Sequence, residues 1–335
     1  MYKDFLVNLL ESIKGRVTFL ERTRPDHEFI ENDPSGQDKV YKKNAGHSVS
    51  ISRNKSGGKI IIKKSGPSAR NSFYRHLQYE AEFFRVLNTF QKNRKNIDVY
   101  VPKIYSLSKR DNNLKMIIQF IEGRTLKETD EEQKLFFLEK CLIHMRRASK
   151  ILNKNDLKTL PTREMPFFVL PFPIYVFFVA AKLRDIKLLN LLPLFYRNYL
   201  MSKSANSLCI AHRDLHSDNV LLKRGNIYMI DFEIAVLSDE ETDVAIIPIL
   251  YHQEISFNKI MLLVKKFTKN NNQARRIYAL TVFYMVQLLA LQKRDSRYFN
   301  NAYRFLKIFT KVVTPNFNRL FSEFKDEPSR LVITE

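Results

Sequence analysis

Polar and apolar positions alternate over short stretches in the first part of the chain, after a turn-rich break at 31–38. Alternation over about four to eight residues is typical of half-buried β-strands. A stretch containing serine and two glycines at 54–58 has the composition of a hairpin connection between two of them. The predicted strands include residues 49–51, 59–63 and 116–120.

From about residue 130 the apolar positions recur at helical spacing, except at 207–237, where short apolar runs alternate with loops. A β-rich first part with one main helix around 79–87, followed by a helical second part, predicts an α+β fold with two lobes. The first would be a small antiparallel sheet with that helix, and the second a larger, mostly helical lobe. We predict three parts: a helical extension at 1–37, an N-lobe at 38–122 and a C-lobe at 123–335.

The composition adds a strong electrostatic feature, because the 335 residues carry a formal net charge of +21. Such a surplus attracts anions, which include nucleotides, nucleic acid and acidic lipid headgroups. No basic motif interleaved with aromatic residues supports a specific nucleic-acid partner. The two cysteines, Cys141 and Cys209, form no CxxC pair, so no zinc site is supported. The first residues lack a signal-peptide pattern, which predicts a cytoplasmic location.

The candidate chemistry begins in the loop His212-Arg213-Asp214-Leu215-His216-Ser217-Asp218-Asn219, within a predicted catalytic region at 210–233. Asp214 precedes Asn219 by five residues, so one loop can aim a carboxylate at an acceptor and an amide at a metal. The segment from 220 to 230 is typical of a hairpin that returns Asp231 to the side of Asn219. Two oxygen ligands on adjacent loops suit magnesium.

The loop, the hairpin and Asp231-Phe232-Glu233 together resemble the aminoglycoside phosphotransferase and choline kinase superfamily, which has a protein-kinase-like fold. Its pattern is His-x-Asp-x-x-x-x-Asn followed by an aspartate that binds magnesium. The resemblance implies transfer of the γ-phosphate of ATP to a hydroxyl group, with Asp214 as catalytic base and Asn219 and Asp231 as metal ligands. Asp243, in Thr242-Asp243-Val244-Ala245, matches a family aspartate whose role is structural.

A lysine on the third strand would contact the α- and β-phosphates in this family. Lys63 and Lys64 are both candidates, and strand alternation favours Lys63 if Ile61 faces the adenine. Its partner is a helix carboxylate. Glu80 has the helical spacing of an inward-facing position, and Glu82 is the surface alternative.

Two further predictions complete the nucleotide site. A phosphate-covering loop is expected at 44–48, where backbone N–H groups and the Ser48 hydroxyl would hold phosphate oxygens. The alternative is an ordinary hairpin. The stretch from Gln119 through Ile121 to Glu122 lies where the family's hinge offers backbone groups to adenine.

Three functions are weighed. The first is a small-molecule kinase that uses ATP and Mg²⁺. The second is a Ser/Thr protein kinase, which Arg213 favours. Glu233 argues against it, because it replaces the glycine of Asp-Phe-Gly, and no Ala-Pro-Glu follows. The third is a non-catalytic nucleotide-binding module, which the full set of polar groups disfavours.

The acceptor is open among a sugar, an amino alcohol and a lipid-linked alcohol. Residues 240–335 contain fifteen Lys/Arg against nine Asp/Glu, which argues against a polycationic acceptor. The apolar stretch at 166–181 has two main interpretations, a buried core of the helical lobe or a peripheral contact with an anionic membrane at its inner face. At sixteen residues with three prolines, it is shorter than the roughly 20 residues that span a bilayer.

Overall fold

The computed structural model describes residues 39–314, apart from 45–46, 66–71, 93, 95–96, 111–112, 153, 163–168, 203–207 and 295. The predicted extension at 1–37 and its helix lie outside the described residues. So do part of the 44–48 loop and the first residues of the 166–181 stretch.

The strands are β1 Lys39–Asn44, β2 His47–Arg53, β3 Lys59–Ser65, β4 Val99–Tyr100, β5 Ile104–Arg110, β6 Asn113–Gln119, β7 Arg124–Thr125, β8 Leu208–Ala211, β9 Val220–Lys223, β10 Asn226–Met229 and β11 Val236–Asp239. The α-helices are α1 Ser72–Lys92, α2 Glu131–Ile151, α3 Lys154–Lys158, α4 Phe172–Leu183, α5 Leu191–Met201, α6 Thr242–Tyr251, α7 Phe257–Lys266, α8 Asn271–Leu291 and α9 Arg297–Ile308.

The first of two compact units contains the described residues of 39–124, 154–160 and 221–235. Its main sheet is antiparallel, in the order β1-β2-β3-β6-β5. Helix α1 packs against β3 and β6 through side chains spaced three and four residues apart. Phe83, Phe84 and Leu87 on this face are completely buried. The antiparallel sheet and the long helix agree with the prediction from the alternating polar and apolar positions and from the helical spacing.

A second, smaller sheet in the order β4-β10-β9-β7 contains the predicted hairpin. Arg224 and Gly225 both have positive φ, 49° and 80°, which is the backbone of a two-residue hairpin turn of type I′. Strand β10 pairs with β4 in parallel, and the rings of Tyr100 and Tyr228 stack at 5.5 Å. This pairing joins the hairpin to the first unit, although the predicted limits place it in the C-lobe. The domain limits stay a prediction.

The second unit contains the described residues of 125–152, 161–220 and 236–314, and it is mostly helical. Helix α8 lies at its centre, in contact with α4, α5, α6 and α9. Among the described helices, α8 is long and apolar enough to cross a bilayer, but 83% of its apolar window is buried inside the protein. Burial of this kind is typical of a core helix.

Helix α4 covers most of the described part of the 166–181 stretch. Phe172 is completely buried, and its ring lies 4.0 Å from that of Phe195. Tyr175 is buried on the same side, 6.1 Å from Phe283. The interpretation of this stretch as core is therefore right for one face of α4, while the opposite face is exposed.

Buried His144 on α2 is expected to make stability depend on pH. Burial, with a contribution from Arg147, lowers the pKa of His144 to about 4. The unfolded chain binds this proton near pH 6.5 and the folded chain does not, so the free energy of unfolding falls as pH drops from 6.5 toward 4. We expect His144→Leu to remove up to about 3 kcal/mol of that fall. Urea titrations of both proteins at pH 7 and pH 4.5 measure the free energy of unfolding at each pH. If the fall between the two pH values is equal in the unaltered protein and in His144→Leu, the assignment to His144 is contradicted.

Candidate active site

The catalytic loop in the second unit is held by Asp243. Its carboxylate accepts the backbone N–H of His212 at 2.8 Å and that of Arg213 at 2.7 Å. Burial raises the pKa of Asp243, and the two N–H donors with the charges of His212 and Arg213 oppose that rise. Arg213 has a φ of 64°, a left-handed conformation that turns the chain sharply. The contacts agree with a structural role for Asp243.

Asp214 and Asn219 lie together in this loop. The Asn219 amide nitrogen donates to the Asp214 carbonyl at 2.8 Å and lies 3.4 Å from Oδ2 of the Asp214 carboxylate. Nε2 of His216 is 3.8 Å from the same oxygen. The amide nitrogen is thus occupied by the loop, which leaves the Asn219 oxygen as the atom suited to a cation. The Asp214 side chain is 24% exposed and so is accessible to solvent.

Helix α9 contributes contacts to the catalytic loop that the sequence does not predict. The Tyr298 hydroxyl donates to Oδ1 of Asp214 at 3.2 Å. Arg297 binds Asp218 at 2.9 Å and Glu254 at 2.7 Å. These contacts join residues 43 to 84 positions apart. No local spacing in the sequence indicates them.

Lys63 is the centre of a charged cluster in the first unit. Its ammonium lies 2.8 Å from both carboxylate oxygens of Glu80, 3.0 Å from Asp231 and 3.5 Å from Glu233. Asp231 has a φ of 64°, a rare left-handed conformation for a residue other than glycine. The structure therefore brings Lys63, Glu80 and Asp231 together.

The two alternatives to this pair lie on the surface. Lys64 is exposed, because the next residue of a strand points to the opposite face of the sheet. Glu82 is partly exposed and forms an ion pair with Arg85, with 2.9 Å between Oε2 and Nε. The structure thus gives the buried contacts to Lys63 and Glu80.

The electrostatics of the cluster suit a divalent cation. Burial lowers the pKa of Lys63, but the charges of Asp231, Glu80 and Glu233 outweigh it and raise that pKa well above its ordinary value. Burial raises the pKa of Glu80, the Lys63 ammonium and its hydrogen bond oppose that rise, and Asp231 and Glu233 add to it. Three carboxylates within 4.8 Å of one another face one ammonium. Their all-oxygen donor set and excess negative charge fit Mg²⁺.

The structure places three residues that the sequence predicts to contact the nucleotide, but it does not test that role. Ser48 pairs with Lys64 across the sheet, and Val49 pairs with Lys63. In a regular strand the Ser48 hydroxyl therefore lies on the face opposite Lys63. Gln119 ends β6, and its N–H donates to the Lys103 carbonyl at 2.9 Å. Ile121 follows with a buried side chain. The nucleotide roles of Ser48, Gln119 and Ile121 stay predictions.

Comparison with known proteins gives one family match. Residues 178–257, which include the catalytic loop and its aspartates, match the family model described as "Phosphotransferase enzyme family". No curated protein sequence matches the chain.

The fold is also similar to those of solved antibiotic phosphotransferases. A thermostable mutant of aminoglycoside phosphotransferase APH(4)-Ia, with ADP and hygromycin B, aligns with a TM-score of 0.56 and 14% identity, covering 81% of this chain and 90% of that chain. Spectinomycin phosphotransferase APH(9)-Ia, with ADP and spectinomycin, gives 0.56 and 12%, covering 81% and 89%. Amicoumacin kinase hAmiN, in complex with AMP-PNP, Ca²⁺ and Ami, gives 0.54 and 16%, covering 93% and 96%.

At these identities the structural likeness concerns the fold. It confirms the predicted α+β, protein-kinase-like architecture. Together with the family match, it confirms the resemblance to the aminoglycoside phosphotransferase superfamily. Over residues 178–257 the chain is thus similar to the phosphotransferase enzyme family, and its fold is that of the aligned antibiotic phosphotransferases.

Proposed function

We propose that this protein is an ATP- and Mg²⁺-dependent kinase that transfers the γ-phosphate to a hydroxyl group of a small molecule. The contact of Lys63 with both Glu80 and Asp231 carries the proposal. A buried lysine held by a helix carboxylate beside a predicted metal ligand is what phosphate binding requires in this fold. The held loop with Asp214 and Asn219 supports it from the second unit.

The mechanism is a direct in-line transfer without a covalent enzyme intermediate. Asp214 accepts the proton of the acceptor hydroxyl as its oxygen bonds to the γ-phosphorus, and the bond from that phosphorus to the leaving oxygen of ADP breaks. Lys63, fixed by Glu80, donates hydrogen bonds to phosphate oxygens. Bound Mg²⁺ supplies neutralisation of the phosphate charge, and Asn219 and Asp231 would hold it.

A small-molecule acceptor is favoured over a protein. Glu233 replaces the glycine of Asp-Phe-Gly and lies 3.5 Å from the Lys63 ammonium, so the difference falls within the charged cluster itself. The similar solved proteins act on antibiotics by their printed names. The basic segment at 240–335 disfavours polycationic acceptors, and a sugar, an amino alcohol and a lipid-linked alcohol stay open.

A screen of metabolite pools tests the proposed function. The full chain is incubated with ATP and Mg²⁺, and mass spectrometry detects compounds that gain one phosphate. The Asp214→Asn variant is the matched control, and we expect it to form the same product at least about 10²-fold more slowly. Transfer only to the chain itself or to other proteins would instead support a protein kinase. ATP binding without any turnover would support a non-catalytic module.

Tyr298 is expected to position the catalytic carboxylate. Loss of its hydroxyl in Tyr298→Phe removes the hydrogen bond to Asp214, which we expect to lower kcat about tenfold and leave the KM for ATP unchanged. The matched control is Tyr303→Phe on the same helix, where the ring stacks on Phe299 at 6.2 Å. Steady-state kinetics on the acceptor found above measure both. Equal kcat values for the two variants would contradict this role.

A further inference from the structure

Exposed apolar side chains are concentrated in one short segment. Twelve large hydrophobic side chains are exposed in the described part of the chain, and five of them fall within residues 170–186. We call these five the 170–186 surface; they are Leu170, Ile174, Phe177, Phe178 and Ile186, each at least 54% exposed. Apolar side chains scattered singly need no explanation, whereas a cluster indicates a contact.

Three side chains of the 170–186 surface lie on one face of α4. Ile174, Phe177 and Phe178 are spaced three and four residues apart, which places them on one face. The opposite face is buried in the second unit. A helix that is apolar on both faces can bury its outer face only against a second apolar surface outside its own unit. At twelve residues, about 18 Å, α4 is too short to cross a bilayer, so its outer face suits a surface contact.

Positive charge lies beside the 170–186 surface. The described segment from 169 to 202 contains four basic residues and one acidic residue, Asp185. Arg184, which ends α4 with a φ of 54°, and Lys187 are exposed. Among the described residues, neither makes an ion pair with a carboxylate. Asp185 accepts the Lys187 backbone N–H at 3.0 Å, as a cap of the following turn. Lys182 instead turns inward, to the Leu289 and Gln292 carbonyls.

We propose that the 170–186 surface docks onto the headgroup region of a bilayer that contains anionic phospholipids. Such a bilayer offers an apolar layer for the phenylalanines and negative charge for Arg184 and Lys187. A second copy of the chain is a poorer occupant, because it also carries a net charge of +21 and repels. The proposal is independent of the proposed kinase function.

Vesicle sedimentation with the full chain tests the proposal. We expect binding to phosphatidylcholine vesicles that contain phosphatidylglycerol, weakened by salt, and little binding to pure phosphatidylcholine. Phe177→Ser is expected to lower the partition coefficient about tenfold. Phe136→Ser is the matched control, since Phe136 on α2 is 54% exposed and Phe177 is 57% exposed. Equal loss in both variants, or no binding of the unaltered chain, would overturn the proposal.

A second pair of variants separates local charge from net charge. Arg184→Glu/Lys187→Glu is expected to lower binding about thirtyfold. Lys127→Glu/Lys150→Glu changes the net charge equally at two exposed sites elsewhere, and we expect a several-fold smaller loss. Equal losses in both pairs would overturn a defined docking face. Sedimentation velocity adds a further outcome: if Phe177→Ser dissociates an oligomer without lowering vesicle binding, the occupant is a second copy.

Discussion

Asp214→Asn is expected to lower kcat by about 10² to 10⁴-fold while the protein stays folded and still binds ATP. Asparagine keeps the shape of the side chain but cannot accept the acceptor's proton. The side chain is 24% exposed, and the loop around it is held by Asp243, so the substitution leaves the backbone contacts in place. Transfer to the acceptor and ATP turnover without acceptor are both measured, with ATP affinity from calorimetry.

Asp218→Asn is the control for the loss of a carboxylate from this loop. Asp218 lies four residues further on, is 41% exposed and binds Arg297 on the surface. Exposed ion pairs contribute about 0–1 kcal/mol, so we expect kcat to stay within about tenfold of the unaltered protein. An Asp214→Asn protein with unchanged transfer would refute the assigned base, whatever the result for Asp218.

Lys63→Met is expected to lower activity at least about 10²-fold and also to destabilise the first unit. The ammonium is the cationic partner of a completely buried Glu80 and of two further carboxylates. Its removal leaves a buried negative charge without compensation, which costs about 3–5 kcal/mol in comparable pairs. Urea unfolding measures the loss of stability, and steady-state kinetics with saturating ATP measure the loss of activity.

Two further variants separate the structural effect from the catalytic one. Lys63→Met/Glu80→Leu removes both charges of the buried pair, and we expect it to recover much of the stability and none of the activity. Lys64→Met changes the exposed neighbour on the opposite face, and we expect less than about 0.5 kcal/mol and unchanged kcat. Activity restored in the double variant would show that Lys63 acts only through stability.

The parts of the site that the sequence predicts are those with local signals. Asp214 and Asn219 are five residues apart in one loop, and a hairpin of about ten residues precedes Asp231. Lys63 and Glu80 are distant in sequence, but strand alternation and helical spacing each select one face, and these faces pack together in the first unit. The β-sheet and the helical unit follow from the same two periodicities.

Other features depend on contacts that no periodicity encodes. Tyr298 and Arg297 reach the catalytic loop from a helix some 80 residues later, because α9 packs against α8 and α6. The contact of Glu233 with Lys63 requires the hairpin to return to the sheet, across 170 residues of sequence. The outer face of α4 is the clearest case. A helix that is apolar all round carries no pattern to show which side is buried, so only its packing on Phe195 and Phe283 decides that Phe177 and Phe178 face outward.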